Sequence, residues 1–318
     1  MATVIGARLQ NDGTLLTAGT DILDDGFDEV TIGTHRVTPT SILADEFDEI
    51  TLSAGQPSGG SIVLNGTSQY LTVAGSTDYV FGNNPCTIEG WFYTTSTDYQ
   101  RLWSFEDGDN VELLGSTVYY WNGSGLLYSG PNVIQINQWK HIALVKTVDA
   151  GVNSGNPVVN VYVNGTAVIT DNSPFESTNS RPFAIGGEIA DSVTGEDATP
   201  SARDGFFTGN ITNFRIVKGI AVYTANFSTP IAPLGVTQNS SVHISTIPAT
   251  YTKLLLKAVD SGNFLTDSSQ YAKSVTNVGS ASYSALTPLS TAYNGMMKQQ
   301  KSGELFVANE FDEQSGIV

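Results

Sequence analysis

The chain has 318 residues, with 14 Lys plus Arg against 31 Asp plus Glu, a formal charge of −17 and one cysteine. That length can bury a core without staples, and a lone thiol excludes a disulfide framework within the chain. The charge excludes the basic stripe that nucleic acid requires and disfavours anionic membrane surfaces, so neither is expected as a partner. Only 14% of residues are charged, while Gly, Ser, Thr, Asn and aromatics are abundant, a composition suited to short strands joined by turns.

The opening MATVIGARLQNDG has no apolar run. This predicts that no secretory signal is present. Apolar stretches such as KHIALVK and TKLLLKAV are too short to span a bilayer, so the expectation is a soluble protein made in a cytoplasm. Residues 1–56 hold a repeat. ILDDGFDEVTI (22–32) and ILADEFDEITL (42–52) align without a gap, with Phe47 following Phe27 by 20 residues. The cassettes Phe27, Asp28, Glu29 and Phe47, Asp48, Glu49 alternate as a two-faced strand does, and Phe311, Asp312, Glu313 echo them near the other end. One strand per 20-residue unit buries little by itself, which points to assembly with other surfaces. SAGQPSGG (53–60) has the composition of a linker.

From 57 to 234 strand signals recur: SIVLNG, QYLTVAG, CTIEGWFYT, QRLWSFE, TVYYWNG, LLYSG, WKHIALVKTV, PVVNVYVNGTAVIT, RPFAIGGE and GNITNFRIVKG. They are short, alternating and bounded by Gly, Asn, Pro or Ser, as in an antiparallel sandwich or barrel. VVNVYVNGTAVIT predicts a hairpin, because Asn164 and Gly165 both tolerate the positive φ of a type I′ turn. The same chemistry accounts for Asn-Gly-Thr at Asn65 and Asn164 without invoking glycans. Residues 235–304 read as a β-rich extension packing on the sandwich, and 305–318 as the terminal cassette.

GSIVLNGTSQYLTVAG with FGNNPCTIEGWFY resembles the opening of concanavalin A-like, laminin-G-type domains, and QWKHIALVK with VNVYVNG resembles their Trp-containing strand and next hairpin. GNITNFRIVKGIAVYTANFSTPIAPL resembles the closing segment of such domains in tailed-phage virion proteins. TKLLLKAVDSGNFLTDSSQYAKSVTNVG and the FDE cassettes are similar to segments of phage proteins and fibres. The resemblance implies an all-β fold, a jelly-roll sandwich of two antiparallel sheets. It leaves function open, because this fold serves lectins, hydrolases and structural modules alike.

Three chemistries can be weighed on the residues. Stacking of sugars needs exposed aromatic faces with polar groups beside them. Tyr119, Tyr120 and Trp121 are consecutive, so at least one points outward, and Tyr99, Trp103 and Tyr128 are near in sequence. The competing reading is core packing, which also suits Trp91 and Trp139. Calcium is the metal an acidic rim loop would take, and Glu106, Asp107 and Asp109 could supply oxygens, as could Glu188 and Asp191. The competing reading is a solvated acidic loop. Relatives of the laminin-G type often show an acidic pair in the closing strand, where this chain has Thr212 and Asn213. For glycoside hydrolysis, Asp48 and Glu49 are adjacent and so face opposite ways, which disfavours a paired-carboxylate site. Cys86, His35, His141 and His243 show no metal or nucleophile spacing.

The resemblance together with the repeat implies a phage virion structural protein, a capsid decoration or a tail or head fibre. It would bind other virion proteins and its own copies, as a homotrimer by analogy with fibres, and would present the sandwich to a host-surface glycan. A stand-alone carbohydrate-binding lectin and a polysaccharide depolymerase are the alternatives. The expectation is no enzyme, and no cofactor except calcium.

Overall fold

This computed structural model describes residues 59–105, 108–148, 156–172, 180–188 and 205–289, with the backbone of 30–32 and 35–37. The chain divides into two units, Met1–Pro57 with Leu289–Val318, and Ser58–Pro288. In the first, β1 (Val30–Ile32) and β2 (His35–Val37) pair antiparallel, with Val30 opposite Val37. The FDE triplets at 27–29, 47–49 and 311–313 lie outside the described residues.

The second unit is a sandwich of two antiparallel sheets. One sheet contains β3 (Ser61–Asn65), β5 (Cys86–Thr94), β10 (Trp139–Val148), β11 (Pro157–Val163), β12 (Thr166–Asp171), β14 (Thr208–Lys218), β15 (Thr252–Leu256) and β17 (Ser282–Ser284). Its order is β12-β11-β10-β5-β14-β3-β17, with β15 also paired to β14. The other has the order β16-β4-β13-β6-β7-β8-β9. Its strands are β4 (Tyr70–Val73), β6 (Gln100–Phe105), β7 (Gly108–Leu114), β8 (Thr117–Trp121), β9 (Leu126–Tyr128), β13 (Phe183–Ile185) and β16 (Val275–Val278).

Period-2 alternation sends one side of every strand inward. Ile88 and Phe92 of β5, Leu144 of β10 and Ile211, Phe214 and Ile216 of β14 meet Trp103, Val111, Leu113, Val118 and Tyr120 of the facing sheet in one core. Each such side chain stabilises the fold by about 1.5–3 kcal/mol through burial. Asn164 and Gly165 turn β11 into β12 with φ of 47° and 77°, as the hairpin motif predicts. A Cβ on Gly165 would meet the Phe227 carbonyl oxygen at 1.9 Å, so the turn also needs glycine for space.

The extension contributes strands to both sheets. β15 and β17 join the first and β16 joins the second. Leu254 and Leu256 of β15 enter the shared core. The structure corrects one local expectation. The acidic run FEDGDNVE is largely strand β7 rather than a loop, because Val111 and Leu113 fill the core.

The outer face of the eight-stranded sheet is covered. Residues 219–251 cross it, and Val222, Tyr223 and Ile247 pack on Ala143, Val145, Tyr162 and Val217 in a second apolar cluster. Beneath that cover lies Glu89, fully buried. Arg215 Nε donates to Glu89 Oε1 at 2.8 Å, the Tyr223 hydroxyl donates to Oε2 at 2.6 Å, and His141 Nε2 lies 3.0 Å from Oε2. Arg215 is completed by the Gly235 carbonyl at 2.8 Å and Gln238 Oε1 at 2.9 Å. Burial alone would raise the Glu89 pKa; Arg215, His141 and Tyr223 outweigh it and hold the carboxyl at about 2. His141 lies in strand β10, as the resemblance implies, and has the Glu89 carboxylate as its partner.

Candidate functional site

Among the described residues, the outer face of the seven-stranded sheet is exposed at β8 and β9, where Trp121, Leu126 and Tyr128 stand at the surface. Side chains alternating with the core residues of β6 to β9 line it. Arg101 stands opposite Glu112, Glu112 opposite Tyr119, and Tyr119 opposite Tyr128. These four residues make one row across four neighbouring strands. Three strand spacings give it a length of about 15 Å, longer than a single sugar ring. A second row, one pleat away, sets Trp121 between Asn110 and Leu126.

The aromatic half of the face is solvent-accessible. Trp121 is 37% exposed and Tyr128 71%, and Leu126 beside them is also exposed. The Tyr119 and Tyr128 rings lie 6.0 Å apart and tilted, a cross-strand pair with faces available for stacking. The polar half is a charged cluster. Arg101 Nε lies 3.4 Å from Glu112 Oε1 and donates to the Tyr99 hydroxyl at 2.9 Å, and its Nη1 pairs with Glu188. Gly205, at φ 56°, brings the backbone against this cluster: its carbonyl accepts from Arg101 N at 2.6 Å, and a Cβ there would meet Tyr99 at 2.7 Å. Burial raises the Glu112 carboxyl pKa, against the lowering effects of Arg101 and Tyr99. Burial also pushes the Tyr99 phenol up to about 12. This row can offer stacking rings and paired hydrogen-bonding groups to a polyhydroxylated chain lying across the strands.

Of the six aromatic residues named from sequence, the structure brings Tyr119, Trp121 and Tyr128 together, with Tyr99 at the polar end of the row. Trp103 and Tyr120 belong elsewhere. Both are fully buried, Trp103 Nε1 donates to the Asp109 carbonyl at 2.8 Å, and the Tyr120 hydroxyl donates to Asp109 Oδ1 at 2.9 Å. Their rings fill the core and cannot meet a sugar. Asp109 itself points inward, 1% exposed, and its Oδ2 lies 3.3 Å from Lys146 Nζ of the opposite sheet. An ammonium already neutralises it, which removes it from a calcium loop. Glu106, Asp107 and Asp191 lie outside the described residues. Among the described residues no three His, Cys, Asp or Glu side chains gather to hold a metal.

Thr212 and Asn213 mark a register shift in β14, with Asn213 at φ 51°. Thr212 Oγ1 donates to the Lys257 carbonyl at 3.1 Å, and Asn213 Oδ1 accepts from Leu234 N at 2.8 Å. They pin the extension to the sheet. Trp91, expected in the core, is 9% exposed on the covered face against His141, and Trp139 is half-buried beside Tyr93.

Arg101 and Glu112 were not singled out from sequence. The signal was there, because both alternate with core residues. It became readable only with β7 recognised as a strand, which Gly108 and Asn110 obscure.

Comparison with known structures finds low likeness. A presumptive carbohydrate binding protein from Bacteroides ovatus aligns at 12% identity and TM-score 0.43 over 70% of this chain and 60% of that one. This chain therefore spans about three fifths of that protein's length. The heptameric SAP-like pentraxin of Limulus polyphemus aligns at 16% identity and TM-score 0.36, over 52% of this chain and 78% of that one. Domain 4 of the arabinanase AbnA from Geobacillus stearothermophilus aligns at 18% identity and TM-score 0.35, over 50% of this chain and 70% of that one. At these scores none bears on what this chain binds. No curated protein matches. Residues 65–221, just short of half the chain, match the laminin G family model described as the concanavalin A-like lectin/glucanases superfamily, and over that stretch the chain is similar to that superfamily.

Proposed function

We propose that this protein binds carbohydrate on the outer face of its seven-stranded sheet, without chemistry on the sugar. One observation carries the reading: Tyr119, Trp121 and Tyr128 are grouped on an open face whose same row continues into Arg101 and Glu112. Amphipathic rings stack on the apolar faces of sugars while neighbouring polar groups meet hydroxyls. The test is retention of the full chain on a panel of immobilised polysaccharides. Trp121→Ala and Tyr128→Ala should each weaken retention about three- to tenfold, the range of one lost aromatic contact. Retention unchanged in the double variant removes this site. New reducing ends released from a retained polymer would convert the reading to a depolymerase.

A second reading concerns where the sandwich is displayed. All three FDE cassettes fall in the unit formed by Met1–Pro57 and Leu289–Val318, apart from the sandwich unit. With the resemblance to tailed-phage proteins, this supports a virion protein, a decoration or fibre. Its cassettes would join other virion proteins and its own copies as a homotrimer. Sedimentation of the full chain should give a trimer, and a chain lacking residues 1–56 a monomer. A monomeric full chain at working concentration removes the self-assembly.

A further inference from the structure

The polar half of the open face also bears on which carbohydrate fits. This inference rests on the binding reading above and adds the ligand class. Arg101 is the cation that the row presents, and its guanidinium is engaged three ways, by Glu112, by Glu188 and by the Tyr99 hydroxyl. Among the described residues, two carboxyl groups flank this one guanidinium. Glu112 is nearly buried, so its contribution is fixed in place; the Glu188 side chain is 37% exposed and meets an incoming ligand first. The face belongs to a chain of formal charge −17. Lys253 and Lys273 cluster instead about Asp78 and Tyr271, outside this row.

A uronate, sialate or sulfate laid across the row would meet the Glu188 carboxylate first, with Arg101 Nε and Nη1 already engaged. An uncharged sugar would find carboxylate acceptors for its hydroxyl donors and rings for its apolar faces. Charge-assisted hydrogen bonds to its own carboxylates compete with an anion for the arginine, and a like charge beside it adds a repulsive element against acidic ligands. We infer that the face is built for uncharged polysaccharide, with Glu188 and Glu112 excluding acidic sugars by occupying Arg101.

The experiment is affinity electrophoresis of the full chain through gels holding dextran, mannan, galactan or laminarin, and in parallel polygalacturonate, alginate, hyaluronate or heparin. The expected result is retardation by at least one neutral polymer, with every acidic polymer at least tenfold weaker, the scale of one uncompensated like charge near a surface. Glu188→Gln frees part of Arg101 and should raise retardation by an acidic polymer several-fold relative to the neutral one; Glu188→Gln combined with Arg101→Leu should cancel that gain, and an unchanged acidic-to-neutral ratio in Glu188→Gln would overturn the exclusion. Wild-type retardation by an acidic polymer, equal to the neutral ones and lost in Trp121→Ala, would overturn the ligand class while leaving the binding face standing. Acidic retardation that persists in Trp121→Ala would place binding elsewhere, and no retardation by any polymer would deny binding altogether. Either result overturns both the ligand class and the binding face.

Discussion

Glu89 and Glu112 face outward from opposite sheets, and the fold treats them in opposite ways. Glu89 is covered by residues 219–251, receives hydrogen bonds from Arg215 and Tyr223, and has its pKa held at about 2. Glu112 lies on the uncovered face and shares Arg101 with Glu188, and its pKa is raised by burial. A buried carboxylate surrounded by its own protein's donors is complete and has nothing left to offer. Glu112 is nearly buried as well, but it shares its arginine with Glu188, whose side chain is 37% exposed and keeps acceptor capacity. Glu89 therefore belongs to stability, and Glu112 to the row proposed to bind carbohydrate.

The harshest way to break that contrast is to remove the cover. A chain ending at Leu234 lacks the Gly235 and Gln238 contacts to Arg215 and all of β15, β16 and β17. It also strips Leu254 and Leu256 from the core. The expected outcome is loss of any cooperative thermal transition by circular dichroism, although the truncated chain retains all of residues 65–221 that match the family model. A single cooperative transition within a few degrees of the full chain would show the open and covered faces to be independent.

Next in size is Glu89→Gln, which strands the buried Arg215 guanidinium. Removing one partner of a buried pair costs about 3–5 kcal/mol, read as a fall in the urea midpoint. Glu112→Gln should cost clearly less than Glu89→Gln, because Arg101 keeps Glu188 and the Tyr99 hydroxyl as partners. Equal losses in the two variants would erase the distinction.

The pH response sharpens it further. The Glu89 carboxyl is lowered from 4.5 to about 2, so its stabilisation is full above pH 4.5 and is lost as pH falls toward 2. The Glu112 pKa is raised, so the fold favours its protonated form and that residue's contribution improves as pH falls through its folded value. Midpoints measured from pH 7 down to 3 should therefore decline in the wild type and decline less steeply in Glu89→Gln. An identical slope in the two would deny Glu89 its role in acid sensitivity.

The smallest expected effect on stability is that of Trp121→Ala. A ring 37% exposed at the surface contributes little to the core, and the change should move the midpoint by about 0.5 kcal/mol or less while weakening glycan retention. Tyr120→Phe, one position away, should do the reverse. It removes the buried hydroxyl from Asp109, costs about 1–2 kcal/mol, and leaves retention unchanged.

Much of the fold can be read from local pattern. Alternation in CTIEGWFYT, WKHIALVKTV and GNITNFRIVKG announces β5, β10 and β14, and Asn164-Gly165 announces the hairpin, because strand faces and positive φ are properties of a few adjacent residues. The run from Phe105 to Glu112 hid its nature. Its Gly and Asn look like loop, and the inward turn of Asp109 makes sense only with Lys146, 37 positions away on the other sheet. The candidate site was legible in part for the same reason. Tyr119, Tyr120 and Trp121 could be named, and alternation required some to face out, but register was needed to choose Tyr119 and Trp121 over Tyr120.

The sequence by itself determined an all-β sandwich, its strands and its main turn, since each depends on neighbours along the chain. Which described aromatics stand exposed, and which glutamate is locked beneath residues 219–251, were decided by the tertiary structure. Arg215 reaches Glu89 across 126 positions, and no spacing rule carries a contact over that distance.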